Sequence, residues 1–250
     1  MSRALILLFF FVASLSVRAE TYQQLLGAFR TFPKSGSIEA HSYYNQKFWD
    51  ESATGQAWKF GLWRVGAFAA VHGQVGARVD LYPISFVQIS YQESLTSRFY
   101  ETLTLNCEEI HCGGSLRRGT LKASLALAYG AIFFVPSYAQ TQLTIDSDKR
   151  DFSSEEDNLI AKRTGDELAT TQWALGYKQE KDRFVFLSKQ SVMKFSKDNN
   201  FSQLLIWSHD YNSEINYFAG VGFFESNHVK RGSTMVAGFN WTSGDNLALF

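Results

Sequence analysis

The feature that most restricts this chain is a two-residue alternation that runs unbroken from Trp63 to Leu81. Trp63, Val65, Ala67, Ala69, Val71, Gly73, Val75, Ala77, Val79 and Leu81 are all uncharged, while the positions between them include Arg64, His72, Gln74, Arg78 and Asp80. Period two belongs to a strand with one apolar face; a helix would repeat every 3.6 residues. The next segment keeps the phase. Val87, Ile89, Tyr91, Leu95 and Phe99 share one face, Gln88, Ser90, Gln92, Ser94, Thr96 and Arg98 the other, and only Glu93 and Glu101 interrupt the apolar side as it runs on to Leu105.

Read as two strands of about 19 residues, these segments far exceed the five or six residues usual in a soluble sheet. At a tilt of roughly 40° each would rise about 45 Å, more than the ~25 Å apolar band of a membrane barrel, so Glu93 and Glu101 would lie at or beyond the lipid edge. Further alternation occurs at Leu121, Leu125, Leu127 and Tyr129, at Ala139 to Ile145, at Ile215 to Phe223 and at Met235 to Trp241. The segments 183–195 and 201–211 are strand-like without a clear apolar face. Between Ala123 and Tyr138 there is no charge, but Gly130 and Pro136 break the run, and two strands joined at Val135-Pro136-Ser137 fit better than a short membrane helix.

Alternation by itself is compatible with a water-soluble barrel whose faces are exchanged. Strand length, an export signal and a polar face rich in Gly, Ser, Thr and Gln favour the lipid-facing arrangement. On that reading Trp63, Val65, Val79, Leu81, Val87, Ile89, Leu125, Leu127, Phe239 and Trp241 meet lipid, and Arg64, His72, Arg78, Asp80, Arg98 and Lys122 face the lumen. Basic groups outnumber acidic ones in this inner set. They serve either as a salt-bridged filling of the lumen or as the lining of a narrow pore that favours anions.

The N-terminus supplies the export signal. Arg3 precedes an apolar run from Ala4 to Ala13, and Val17-Arg18-Ala19 has permissive residues at the cleavage positions, so residues 1–19 read as a signal peptide. The run is about half the ~20 residues that a spanning helix needs. Export makes Cys107 and Cys112, the two cysteines, a candidate disulfide; Glu108, Glu109 and His111 between them offer a weaker metal alternative. Tyr22, Leu25, Leu26 and Phe29 then recur at helical spacing before Pro33, which sets residues 20–36 apart as an amphipathic leader and 37–250 as the barrel; a first strand or loose leader is the alternative.

Turn chemistry falls at Tyr82-Pro83-Ile84, Val135-Pro136-Ser137, Glu180-Lys181-Asp182 and Tyr211-Asn212-Ser213, and longer polar connections at 50–56, 106–116, 147–166, 196–200 and 227–232. Short and long connections therefore alternate. Counted from Ile38 they give about ten strands, with eight to twelve allowed, in a closed antiparallel all-β barrel. The chain ends in Phe250. With that terminal aromatic and the alternation over 37–250, the chain resembles bacterial outer-membrane β-barrel proteins. The resemblance implies an outer-membrane location in a Gram-negative bacterium, membrane lipid as surroundings, and an assembly machinery that reads Phe250. Asn246 and Ala248 depart from the apolar alternation expected before it, which points to Phe239 and Trp241 as the interfacial belt.

With 24 basic and 24 acidic residues the chain lacks the excess that nucleic acid requires, and 45% hydrophobic content excludes disorder. No cofactor motif is present. Asn227-His228 is similar to the start of the active-site motif of outer-membrane phospholipases, and His209-Asp210 to the acid–imidazole pair of outer-membrane proteases; Ser233 alone stands near the first, and strand neighbours point to opposite faces in the second. Asp146, Asp148, Asp151, Glu155, Glu156 and Asp157 form an acidic loop without the spacing of a calcium site. Three readings follow: a barrel with a structural, surface-interaction or narrow-channel role, a barrel-borne hydrolase, and a soluble periplasmic barrel that holds an apolar ligand.

Overall fold

A computed structural model describes residues 19–50, 60–98, 108–145, 151–154 and 158–243. All regular structure among them is β. In chain order the strands are β1 (Ala19–Thr31), β2 (Lys34–Asp50), β3 (Phe60–Ala70), β4 (Gln74–Ile84), β5 (Val87–Arg98), β6 (Gly114–Leu125), β7 (Leu127–Tyr129), β8 (Ile132–Ile145), β9 (Phe152–Ser154), β10 (Leu159–Ala161), β11 (Asp166–Gln179), β12 (Asp182–Met193), β13 (Asn199–Asp210), β14 (Ile215–Ser226) and β15 (Gly232–Ser243). Every wall pairing is antiparallel between neighbours, β7 extends β6 past Ala126, and two contacts close the ring: β1 on β15 and β8 on β11. The result is a closed barrel of 12 strands, with β9 and β10 forming a separate hairpin.

Twelve lies at the upper bound of the expected range, and two elements account for the difference. Residues 19–31 form β1, paired with β2 from Ala19↔Gln46 to Thr31↔Lys34, so the leader at 20–36 is part of the wall rather than a helix. The helical spacing of Tyr22, Leu25, Leu26 and Phe29 gives way because unpaired backbone groups of the neighbouring strands demand a partner. The run 63–81 is two strands, not one, and β3, β4 and β5 have 11, 11 and 12 residues. Its turn is Val71-His72-Gly73, where Gly73 takes φ 84 and its N–H bonds the carbonyl of Ala70.

One end of the barrel carries the connections 85–86, 130–131, 180–181 and 211–214, together with the start of β1 and the end of β15. The β2–β3 connection, 51–59, leaves from this end as well and lies outside the described residues. At the other end, 99–113, 146–165, 194–198 and 227–231 are long, but 32–33 and 71–73 are tight, so the expected alternation of lengths does not hold throughout. The break expected at Val135-Pro136-Ser137 is instead at Gly130, φ 59, and Pro136 lies inside β8. Proline is tolerated there because β8 pairs β6 only as far as Ser124↔Ser137 and β7 only from Leu127↔Phe134, leaving Pro136 in the gap around Ala126.

The faces are inverted relative to a soluble barrel. Val79, Ile89 and Leu127 are 39%, 43% and 48% exposed, whereas Arg64 and Gln88 on the opposite phase are buried. Trp63, Val65, Leu81, Val87, Leu125, Phe239 and Trp241 share the outer phase, and each is exposed or half-buried. Tyr129, Tyr177, Trp207 and Tyr217 stand outward near the short-turn end, forming an aromatic girdle.

Candidate functional site: a cationic lumen beneath an inserted hairpin

Inward positions of β1 to β4 converge on Arg64. Its Nε donates to Asn45 Oδ1 at 2.7 Å, and its guanidinium lies 5.3, 5.1 and 5.9 Å from the ring centroids of Tyr22, Tyr43 and Tyr82. Each of the four strands contributes one member of this box, a cation held against three aromatic faces. Gly66 makes room for it, since a Cβ there would meet the Tyr43 ring at 2.3 Å. Beside the box, Arg78 Nε donates to Asp80 Oδ1 at 2.8 Å, two residues apart on one face, and Gln88 Nε2 donates to the same oxygen at 3.2 Å. Asp80 is wholly buried. Lys122 of β6 lies within electrostatic reach of Arg78 of β4, Lys189 of β12 and the carboxylate of Asp80.

Nearer the long-loop end, His72 bonds Ser37 Oγ through Nδ1 at 3.1 Å and Gln74 Oε1 through Nε2 at 3.1 Å. His41, stacked on Phe68, contacts Glu39 through Nε2 at 3.3 Å and the Tyr43 hydroxyl through Nδ1 at 3.0 Å. Arg98 is the last residue of β5. Of the inner residues singled out in the sequence, the structure brings Arg64, Arg78, Asp80 and Lys122 together and puts His72 in the β3–β4 turn.

Across the long-loop end the β9–β10 hairpin turns into the barrel. Phe152, Leu159 and Ala161 are fully buried against Leu116, Leu143, Leu168 and Met193, inward residues of β6, β8, β11 and β12. It is also fastened to the β12–β13 connection and to the end of β14. Asp198 Oδ2 accepts the Ile160 N–H at 2.7 Å and contacts His228 Nε2 at 2.7 Å, while Asn158 Nδ2 donates to Ser226 Oγ at 3.2 Å. Where the hairpin departs from the wall, Asp166 accepts the backbone N–H groups of Lys162, Phe195 and Ser196. Asp151 accepts from Lys162 Nζ at 3.0 Å and from the Arg163 N–H at 3.0 Å. Burial tends to raise the Asp151 pKa, but the Arg163 N–H and the Lys162 ammonium outweigh it and hold the carboxyl below its ordinary value. The rest of the acidic cluster, Asp146, Asp148, Glu155, Glu156 and Asp157, lies outside the described residues.

The histidines considered for hydrolysis are otherwise engaged. His228 Nε2 contacts Asp198 Oδ2 at 2.7 Å, and the His228 backbone N–H donates to Ser226 Oγ at 3.3 Å. His209 faces outward on Asp182 at 3.0 Å while Asp210 faces inward on Arg183, the opposite directions that strand neighbours require. Cys112 is buried beside Ile110; Cys107 lies outside the described residues. Sequence reasoning missed Tyr22, Tyr43, Tyr82 and Lys189, and it missed the hairpin, whose signal is the apolar group Phe152, Leu159, Ile160 and Ala161 inside an otherwise polar connection.

Comparison with solved structures returns barrels of the same kind. The β domain of the Bordetella autotransporter BrkA aligns with a TM-score of 0.50 at 9% identity, over 89% of this chain and 98% of that one. OmpT of Vibrio cholerae aligns at 0.46 and 8% identity over 90% and 97%. An anion-selective porin from Comamonas acidovorans aligns at 0.41 and 5% over 90% and 99%. No protein-family model matches the chain, and no curated protein matches it by sequence. The chain has the fold of the bacterial outer-membrane β-barrel proteins.

Proposed function

We propose that this protein is exported, with residues 1–19 as the signal peptide, and inserts into the outer membrane of a Gram-negative bacterium as a narrow, porin-like channel for small anionic solutes. The observation that carries this reading is the inward placement of Arg78, Lys122 and Lys189 on three separate strands, with Lys122 within electrostatic reach of the other two and of Asp80. A ring of fixed positive charge inside a low-dielectric wall concentrates anions and repels cations. The β9–β10 hairpin narrows the outer mouth. Phe250 serves the assembly machinery, and Cys107 and Cys112 join in a disulfide that braces the β5–β6 loop against the hairpin, consistent with the His111 N–H donating to the Asp151 carbonyl at 2.8 Å.

Refolded protein in a planar bilayer under a salt gradient tests the channel. Discrete conductance steps with a reversal potential on the anion side are expected, and Lys122→Glu combined with Lys189→Glu moves that potential toward the cation side. A membrane-inserted barrel that gives no steps removes the channel reading. A disulfide between Cys107 and Cys112 would appear as faster migration of the denatured chain on a gel without reductant.

A further inference from the structure

Among the described residues, outward ion pairs include three on the wall, and two of them have ready explanations. Asp182 with His209 lies at the aromatic girdle, and Glu167 with Lys194 lies where β11 leaves the long-loop end. The third is Glu93 with Arg117. Arg117 Nε donates to Glu93 Oε1 at 2.6 Å, and the Nη2 group reaches the same oxygen. Glu93 falls in the middle of β5, six residues after Val87 and five before Arg98. A strand of 12 residues tilted by about 40° rises about 30 Å, so mid-strand is within the ~25 Å apolar band rather than at its edge. Hydrocarbon is a poor medium for such a pair, whose Arg117 side chain is 66% exposed and whose Glu93 side chain is 41% exposed.

The surface around it is shaped for close approach. Glu93 is registered between Ala77 on β4 and Gly119 on β6, and Ala77 in turn opposite Ala67, so small side chains flank Glu93 in one row across four strands, with Arg117 one step along beside Leu95. A groove of about 590 Å³ opens there, lined in part by Val75, Leu95 and Thr144. The pair has no net charge, so an anionic lipid headgroup would meet the carboxylate as well as the guanidinium. A second copy of the same surface, turned by a two-fold axis, presents Arg117 to Glu93 and Glu93 to Arg117.

We infer that this face of β4–β6 is a homodimer interface within the membrane, with Glu93 of one copy meeting Arg117 of the other across the small-residue row. The inference rests on membrane insertion as proposed above but not on channel activity. The test measures the mass of the folded protein in lipid nanodiscs, with heat-dependent gel migration as the check of folding for every variant. Wild type is expected at twice the chain mass. Glu93→Arg gives each copy two positive charges and Arg117→Glu two negative ones, so each variant alone falls to half that mass, and an equal mixture recovers it as a heterodimer. Ala77→Trp, which leaves both charges and fills the groove, also halves the mass. Folded wild type that is monomeric in nanodiscs overturns the interface and leaves membrane insertion standing; so does a mixture that fails to recover the dimer. Mature protein that stays soluble without detergent or lipid overturns both.

Discussion

The two halves of β8 carry opposite patterns on one continuous strand. Toward the short-turn end, Ile132, Phe134 and Tyr138 point outward and are 53%, 36% and 51% exposed. Toward the long loops, Gln142 and Thr144 hold the outward positions, and the apolar residue is Leu143, which points inward and is 1% exposed. The lower half follows the rule for lipid outside and polar lumen within. The upper half follows the rule for a soluble protein, because Phe152 and Leu159 of the hairpin supply the apolar surroundings inside the wall. Apolar phase therefore reports which neighbour each face has, lipid or protein. The alternation at Ala139 to Ile145 therefore turns its apolar side, Leu143 and Ile145, inward onto the hairpin rather than toward lipid.

The largest expected effect follows from removing the inner neighbour. Phe152→Ala takes a wholly buried ring from the hairpin core and should cost about 3–5 kcal/mol of hairpin attachment. Hydrogen exchange at the Ile160 amide should then rise by at least two orders of magnitude, since each 1.4 kcal/mol is tenfold, while amides shared by β8 and β11 keep their protection. Equal acceleration in the wall would mean that hairpin and barrel form a single cooperative unit.

A smaller effect is expected where lipid is the neighbour. Leu121 is 53% exposed on the outer face of β6, and Leu121→Arg should destabilise the folded barrel by about 2–4 kcal/mol in bilayers. Unfolding by denaturant from lipid vesicles measures it. Thr164→Arg, in the exposed connection between the hairpin and β11, should change stability by no more than about 0.5 kcal/mol. Should the two substitutions cost the same, Leu121 does not face lipid.

Period two made the strand content and the inverted faces readable from sequence, but it concealed the turns. Ala70 pairs with Gln74 across a three-residue turn, so both stay on even-numbered, inward positions and the alternation passes through Val71-His72-Gly73 undisturbed. At the next tight turn but one, Tyr129 pairs with Ile132, an odd with an even number, and the phase flips; a break assigned at Pro136 instead put the wrong residues outside. The inward positions of Arg64, Arg78, Asp80 and Lys122 were legible because a charge on the polar phase has few other places to go. Tyr22, Tyr43 and Tyr82 were not, since an aromatic ring in such a chain reads as lipid-facing until Arg64 is seen to occupy the space among them. Lys189 lay in a segment whose faces were unassigned, and its meeting with Lys122 across three strand steps is a property of closure alone.

Asp151 gives the smallest effect and tests the hairpin from its polar side. Its carboxyl is held below the ordinary value by the Arg163 N–H and the Lys162 ammonium, against the opposing influence of burial. A group whose folded pKa is depressed contributes its stabilisation fully above the unfolded value and loses it as pH falls through the folded one. Acidification below the usual carboxylate range should therefore loosen the hairpin root, and Asp151→Asn should remove that part of the pH dependence. Because Lys162 and Asp151 are both substantially exposed, added salt weakens the effect. Protease nicking within 151–163, followed as a function of pH in the wild type and in Asp151→Asn, reads it directly: the two profiles should converge at low pH and separate above it. Parallel profiles at every pH would mean that Asp151 takes no part in the attachment, leaving it to the apolar core around Phe152 and to the contacts of Asp198, Asn158 and Asp166.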